Sequence, residues 1–432
     1  VLFLNRSFWP DTEATGQLLT DLADDLSSQF DVTVIAGSPN HVDGDVPSNA
    51  DLNEYHGVTV KRVWHTRFPK HSSFGRLLNL LTFAASAWRT ARRTRPRPDV
   101  IVVETDPFFL PIVGDWLRRR LIGSALICYL QDLYPDIAVA IGKIREGYVT
   151  RTLRRLLFNV YRRSDRVVVL SRDMQRRCEA LGVPEPTLEI VSNWADTNAI
   201  RPSKSNNTFR CRHGLQDRFI VMYSGNMGLA HELDSIIEAA ALLRDKTEIE
   251  WVFVGDGAKR KGLEDRTQRL QLRNVRFLPY QPRKSLSESL SAADVHLVSI
   301  RPSVASCVMP SKFYGILASG TPTIALAETG SELQEVILTQ SVGLTCEPND
   351  PIALAKHVQR LAEDRQLTED MGRNARQLAE SSYSRTRQTK RFAEIINQVL
   401  SRDDRDNEPS QLLAIDHSVP DLADTKIPVL ID

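Results

Sequence analysis

The chain has 432 residues, of which 42% are apolar and 25% charged, with 55 basic against 54 acidic side chains. That length exceeds what one hydrophobic core usually serves and predicts two domains. The balanced charge is that of an ordinary globular protein and gives no argument for a nucleic-acid partner, while no apolar run reaches the roughly 18 residues a membrane-spanning helix needs.

The chain opens directly on the apolar run Val1-Leu2-Phe3-Leu4 with no Met before it, so a few residues of a first strand could precede it. From there short apolar runs alternate with longer segments of helical period, the pattern of a parallel sheet with helical crossovers. In the first half the spacing predicts strands over 1–4, 32–36, 100–103, 125–130 and 166–170. Between the first two, Leu18, Leu19, Leu22, Ala23 and Leu26 recur on one face of a helix. Three segments follow predicted strands at their carboxyl ends: 11–17, which contains Gly16; Asp106-Pro107-Phe108-Phe109; and Gln131-Asp132-Leu133-Tyr134-Pro135-Asp136. Segment 143–163 interleaves Lys143, Arg145, Arg151, Arg154, Arg155, Arg162 and Arg163 with apolar residues, as a basic amphipathic helix on anionic lipid would. A shorter basic run, Arg118-Arg119-Arg120, follows Trp116.

The polar, turn-rich stretch 201–207 reads as the boundary between domains 1–200 and 201–381. A second series of strands is predicted over 220–223, 251–254, 275–277, 295–298 and 323–326, followed by a terminal helix over 382–400 that could return to the first domain. Residues 401–432, rich in Asp, Ser, Asn and Pro, read as a disordered tail. The fold class is therefore α/β, with two Rossmann-like, doubly wound domains facing across a cleft lined by the carboxyl edges of both sheets.

In the second series, Ser224-Gly225-Asn226-Met227-Gly228 follows a strand and precedes a helix beginning near Leu233, a joint whose amides and helix N-terminus favour an anion. The run 309–324 places Ser311 as a helix N-cap, Lys312 as a cation in the first turn where the dipole disfavours one, and Gly320 at the helix end. A lysine so placed points to an anion nearby. With Gly330-Ser331-Glu332-Leu333, Gly343-Leu344, Glu347-Pro348-Asn349-Asp350, the strand 165–171 and Ser192-Asn193-Trp194-Ala195-Asp196, this run resembles retaining glycosyltransferase family 4 in order over nearly the whole chain. It is most similar to the bacterial branch that builds capsular, exopolysaccharide and O-antigen chains.

The resemblance implies the GT-B architecture and transfer of a hexosyl or N-acetylhexosaminyl group, with retention, from a nucleotide diphosphate sugar, UDP first, to a lipid-linked or oligosaccharide acceptor. The nucleotide sugar is a co-substrate, and neither a cofactor nor a metal is implied. The amides of Gly225, Asn226 and Gly228, with Ser311 and Lys312, would meet the diphosphate. Tyr280 would stack on the base, and Glu332 would take a sugar or ribose hydroxyl. Asp132 would sit at the transferred sugar as the catalytic partner of Lys312, with Gly16 and Asp106 at the acceptor or cleft loops. Two departures stand out. Asn226 and His231 lie where the family commonly has Arg and Lys, and aligning on the motif's end puts Gly315 and Cys307 in place of its paired glutamates.

The five cysteines are odd in number, scattered and free of any Cys-x-x-Cys pair, and no basic segment precedes an apolar core at the N-terminus. These features predict a cytoplasmic protein, and the basic segments 143–163 and 118–120 offer a means of peripheral attachment at the inner face of the cell membrane. The alternatives from other classes are a sugar-nucleotide 2-epimerase of the same fold and a non-enzymatic sugar-binding module. A nicotinamide-dependent oxidoreductase is disfavoured because Gly255-Asp256-Gly257 lacks the third glycine of the dinucleotide fingerprint.

Overall fold

The continuous apolar runs become buried parallel strands in both halves of the chain, as expected of sheets covered by helices on both faces. The computed structural model describes residues 1–11, 13–39, 52–68 and 73–407. In the first half, β1 (Leu2–Leu4), β2 (Thr33–Gly37), β3 (Glu54–Tyr55), β4 (Val58–Val63), β5 (Val100–Val103), β6 (Ala125–Tyr129), β7 (Arg166–Val169) and β8 (Leu188–Ile190) form one sheet. Its order is β3-β4-β2-β1-β5-β6-β7-β8, and only the β3–β4 pair is antiparallel. In the second half, β9 (Phe219–Ser224), β10 (Ile249–Val254), β11 (Val275–Leu278), β12 (Val295–Ser299), β13 (Thr323–Leu326) and β14 (Gly343–Cys346) form a parallel sheet in the order β11-β10-β9-β12-β13-β14. Both orders reverse direction in mid-sheet, at β1/β5 and at β9/β12, which opens a crevice at the carboxyl ends there.

Every residue of β1, β5 and β6 is buried. The predicted strands fall within a residue or two of these bounds, whereas β3, β4, β8 and β14 were not anticipated. Val58–Val63 carries Lys61 and Arg62 in mid-strand, and Leu188–Ile190 and Gly343–Cys346 are too short and mixed to show a period. The helix Ala14–Leu26 buries the predicted leucine face. Gly16 lies within that helix rather than in the preceding loop; a Cβ there would stand 3.2 Å from the Ser7 Cβ, so glycine lets the helix close on the loop after β1.

Helix Arg385–Asn407 runs beyond the predicted end at 400, and the expected disordered segment past it, 408–432, lies outside the described residues. This helix packs on the first half: Phe392 is fully buried against Phe3 and Tyr129. At its start the Arg385 guanidinium donates to Asp21 (3.1 Å), Asp24 (2.6 Å) and Asp25 (2.6 Å) on helix Ala14–Leu26. Segment 143–163 is helical only over Tyr148–Tyr161. Several of its cations are engaged by carboxylates, Arg154 with Asp136 and Glu146 and Arg163 with Asp115. Lys143, Arg145 and Arg155 have no such partner among the described residues. No helix among those residues is long and apolar enough to cross a membrane.

Replacing Arg385 by Ala leaves three neighbouring carboxylates without their shared cation. The expected loss is about 3 kcal/mol, the low end for breaking a buried pair because the cluster keeps some exposure, read as a lower urea midpoint. An unchanged midpoint would show that the terminal helix is held by its apolar face alone.

Candidate functional site

The site builds outward from the switch point of the second sheet. The chain leaves β9 through Gly225, whose φ of +129° suits glycine, and a Cβ there would meet the Lys312 Cε and Nζ at 3.2 Å. Glycine thus lets the lysine side chain lie against bare backbone. Lys312 opens the helix Lys312–Ala318, and its Nζ lies 3.7 Å from the centre of the Tyr223 ring. The amine is shielded from solvent, has no hydrogen-bond partner, and no carboxylate among the described residues pairs with it. Burial pulls its pKa down to about 7. On the same loop His231 is neutral: burial, then Lys312, hold it down at about 4. With its Nδ1 2.6 Å from the Ser299 carbonyl, that nitrogen carries the proton and Nε2 is left as an acceptor. Lys312, not His231, is the cation of this cluster.

The polar backbone contributes less to an anion seat than the sequence led us to expect. The Gly225 amide donates to the Val254 carbonyl (2.8 Å) and the Met227 amide to that of Asp256 (2.7 Å). The following helix begins at Asp234, and its first amides are taken by the buried Glu232 carboxylate, at 3.1 Å from Asp234 and 3.2 Å from Ser235. Its positive end is therefore satisfied internally. Asn226 is exposed, and its side chain packs between Gly228 and Gly257. Ser311 occupies the N-cap position of its helix in helical geometry, without a capping hydrogen bond. Gly320 ends that helix at φ +66° as predicted. The Tyr280 ring is more than half exposed and covers Gly255, at the edge formed by β10 and β11. Gly315 faces Leu290 and Ile200, so no carboxylate stands at that aligned position.

On the first sheet the corresponding switch point, β1/β5, carries charge of its own. Arg6 donates to both oxygens of Asp106 (3.2 Å each), and the Ser7 hydroxyl bridges Asp106 (3.2 Å) and Glu13 (3.1 Å). Asp132 follows β6, half-buried, with no hydrogen-bond partner for its carboxylate among the described residues. Burial, then Asp106, raises its pKa to about 6. The loop that carries it is held from β5: Thr105 Oγ1 accepts the amides of Gln131 (3.2 Å) and Asp132 (3.4 Å), and the Gln131 side chain donates to the buried Glu104 (3.3 Å). Burial lifts Glu104 to about 8. Arg6, Glu104 and Thr105 were not singled out from sequence, although each directly follows a predicted strand, where ligand-facing residues of such sheets collect.

The two edges meet. The Leu133 amide donates to the Cys307 carbonyl (3.0 Å), bringing the Asp132 loop against the segment that leads to Lys312. Glu332, expected at the donor, is engaged by the other half: it accepts the Arg172 amide, and its own amide donates to Asp173 (2.8 Å). Among the described residues no group of three or more His, Cys, Asp and Glu could hold a metal ion.

Residues 14–194 match the family described as Glycosyl transferase 4-like domain, and residues 205–378 match Glycosyl transferases group 1. Among sequence relatives, WcaI of Escherichia coli, which carries the name of a colanic acid biosynthesis glycosyl transferase, is 28% identical over 83% of this chain and 91% of its own. WbjE of Pseudomonas aeruginosa, named as a glycosyltransferase, is 28% identical over 71% of this chain and 76% of its own. Among solved structures, HepE of Anabaena, crystallised with UDP and glucose, aligns with a TM-score of 0.70 at 20% identity over 92% of this chain and 99% of that one. Sucrose-phosphate synthase of Thermosynechococcus elongatus aligns with a TM-score of 0.72 at 18% identity over 93% and 99%. At these identities the structural likeness speaks for the fold. The chain thus carries a region matching the glycosyl transferase 4-like domain followed by one matching glycosyl transferases group 1, on a two-domain fold shared with HepE and sucrose-phosphate synthase along nearly the whole length of both.

Proposed function

We propose that the enzyme moves a sugar from a UDP-sugar to a lipid-linked or saccharide acceptor of a cell-envelope polysaccharide, with retention of anomeric configuration. The observation that carries this reading is the Lys312 amine, shielded over Tyr223 and against Gly225 at the second switch point, with no counter-charge among the described residues. A nucleotide diphosphate supplies that counter-charge. UDP is favoured by its presence in HepE, and polysaccharide assembly by the name of WcaI. Retention rests on the family resemblance.

In this reading the bond from the sugar's anomeric carbon to the diphosphate oxygen breaks, negative charge collects on the departing phosphate, and positive charge collects on the sugar ring. Lys312 stabilises the first more strongly as it develops, which is what lowers a barrier rather than merely tightening binding. The acceptor oxygen adds to the anomeric carbon on the face the phosphate leaves, and its proton passes to the leaving phosphate oxygen. Asp132, ionised above pH about 6, stabilises the positive ring from the first half of the chain.

The acceptor side carries a surface suited to lipid. Helices Leu110–Arg120 and Tyr148–Tyr161 pack together and, with their flanking loops, leave Trp116, Ile122, Tyr148, Val149 and Leu156 exposed. Arg145 and Arg155 remain there without carboxylate partners among the described residues. Apolar and aromatic side chains among free cations are what a peripheral contact with an anionic membrane uses.

Three measurements test these assignments. Because a bound diphosphate raises the Lys312 pKa above its free value near 7, UDP binds at full strength below that pH. The affinity then falls by up to about tenfold per unit as pH rises above it. The phosphate's own ionisation, near pH ~6, lies below this window. Calorimetric titration from pH 6.5 to 9 reads the slope, and Lys312→Ala should both abolish it and raise the barrier to transfer by about 2–4 kcal/mol. A pH-independent wild-type affinity removes Lys312 from the diphosphate seat. Asp132→Asn should fold and bind UDP as before yet transfer poorly, while wild-type turnover declines as pH drops below about 6; lost UDP binding with normal turnover at saturation would place Asp132 on the donor instead. Sedimentation with vesicles should show binding to anionic but not neutral lipid, weakened by salt, and protein left in the supernatant at low salt rejects the membrane contact.

A further inference from the structure

Two helices begin at the facing carboxyl edges of the two sheets, Arg172–Ala180 after β7 and Glu332–Thr339 after β13. Each is capped by a serine of its own: the Ser171 hydroxyl accepts the Met174 amide (3.2 Å), and the Ser331 hydroxyl accepts that of Gln334 (3.4 Å). A serine cap satisfies one of the orphan amides in the first turn and leaves the N1 amide to find another partner. Here each N1 amide finds it on the opposite helix. Arg172 N–H donates to Glu332 Oε2, and Glu332 N–H donates to Asp173 Oδ2 at 2.8 Å. The Arg172 guanidinium reaches on to Glu335 (3.2 Å) and lies 3.9 Å from the Glu332 carboxylate.

Two helix N-termini brought face to face present like partial charges and repel. Interleaving one carboxylate from each first turn reverses the sign of the encounter, and it does so only when the two halves of the chain are in this register. Glu332 is almost completely buried in the contact. One of its oxygens is committed to the Arg172 amide, while its Oε1 has no hydrogen-bond partner among the described residues and lies 3.9 Å from the Arg172 Nε.

We propose that Asp173 is a positioning residue of the donor seat, and that its reciprocal cap with Glu332 is the clasp that registers the two halves against one another. The second part stands on the hydrogen bonds alone; the first rests on the proposed donor reading, extended by the expectation from the family resemblance that Glu332 takes a sugar or ribose hydroxyl. If the halves part, the Glu332 carboxylate loses the amide that orients it and the Glu332 amide loses its acceptor. Donor binding and clasp formation therefore reinforce each other by linkage, each raising the population of the state the other needs.

Amide hydrogen exchange over the first turns of the two helices, compared in wild type, Asp173→Ala and Asp173→Asn, tests the clasp, and calorimetric titration with UDP-glucose tests the positioning. In Asp173→Ala, exchange at the start of helix Glu332–Thr339 should accelerate about tenfold, the scale of one lost hydrogen bond, with the sheets unaffected. UDP-glucose binding should weaken by a similar factor. Asp173→Asn, which keeps an oxygen acceptor, should recover much of both. Unchanged exchange in Asp173→Ala overturns the clasp, and faster exchange with unaltered UDP-glucose affinity overturns the positioning role. Failure of the underlying donor reading looks different: Glu332→Gln would then leave UDP-glucose affinity untouched while the exchange result stands independently.

Discussion

Arg385 sits among the carboxylates of Asp21, Asp24 and Asp25, and the geometry of the whole molecule follows from that contact. Three acids on one helix face, three and four residues apart, repel one another and cannot be relieved locally. Their cation arrives from more than 350 positions later, at the first residue of the terminal helix. Once Arg385 is there, Phe392 is carried onto Phe3 and Tyr129, closing the first half's core with a helix from the chain's far end. Arg283, on the second half, approaches the same Asp21 at 3.7 Å. The cluster thus draws on three separate stretches of sequence, and through Arg283 it ties the second half to the first.

That placement divides the electrostatic work. The second half offers the desolvated Lys312 amine at a glycine loop, where the Gly225 and Met227 amides and the first amides of the following helix are already satisfied within the protein. The first half offers carboxylates: Asp106, tied down by Arg6, and Asp132, held by burial and by Asp106 at a pKa where it is still ionised at neutral pH. A reaction that separates a departing anion from a transient cation is served by this arrangement, with each sign opposed by its complement and the shielded surroundings strengthening both interactions. The amine and the carboxylate belong to different halves, so the field between them depends on how the halves are held.

What could be read from sequence was what is encoded locally. Val100–Val103 and Ala125–Tyr129 are apolar at every position and announce buried parallel strands, while Val58–Val63, with Lys61 and Arg62 inside it, does not. Lys312 was legible because a cation at a helix start contradicts the local dipole, and Gly320 because it closes that helix. Of the amides expected at the diphosphate, that of Gly225 is taken by Val254, an acceptor on a neighbouring strand that local spacing does not reveal. The partners that hold Glu332, Arg172 and Asp173, lie about 160 positions earlier and could not be read from its own motif. Motif spacing reports the chain's own turns; it carries no information about which distant group satisfies an orphan donor.

The chain crosses between the halves twice. At residue 195 the outgoing chain and at residue 384 the returning chain form a parallel bridge, the Ala195 amide donating to the Tyr383 carbonyl and the Arg385 amide to that of Ala195, both at 3.1 Å. Arg376 then donates to the carbonyls of Thr197 (2.8 Å), Ile200 (2.7 Å) and Ala318 (2.7 Å), tying the outgoing strand to the last turn of the helix that begins at Lys312. A guanidinium on carbonyls at a helix C-terminus also suits the dipole there. The linker is therefore anchored to the lysine helix on one side of the bridge, and the Arg385 cluster anchors the returning chain to the first half on the other. A rotation between the halves must pass through the few dihedrals around residues 195 and 384, and it leaves Lys312 fixed to its glycine loop and Asp132 fixed to its threonine. What such a rotation changes is the distance between them and the register of the facing helix ends, the two quantities that the proposed transfer would feel.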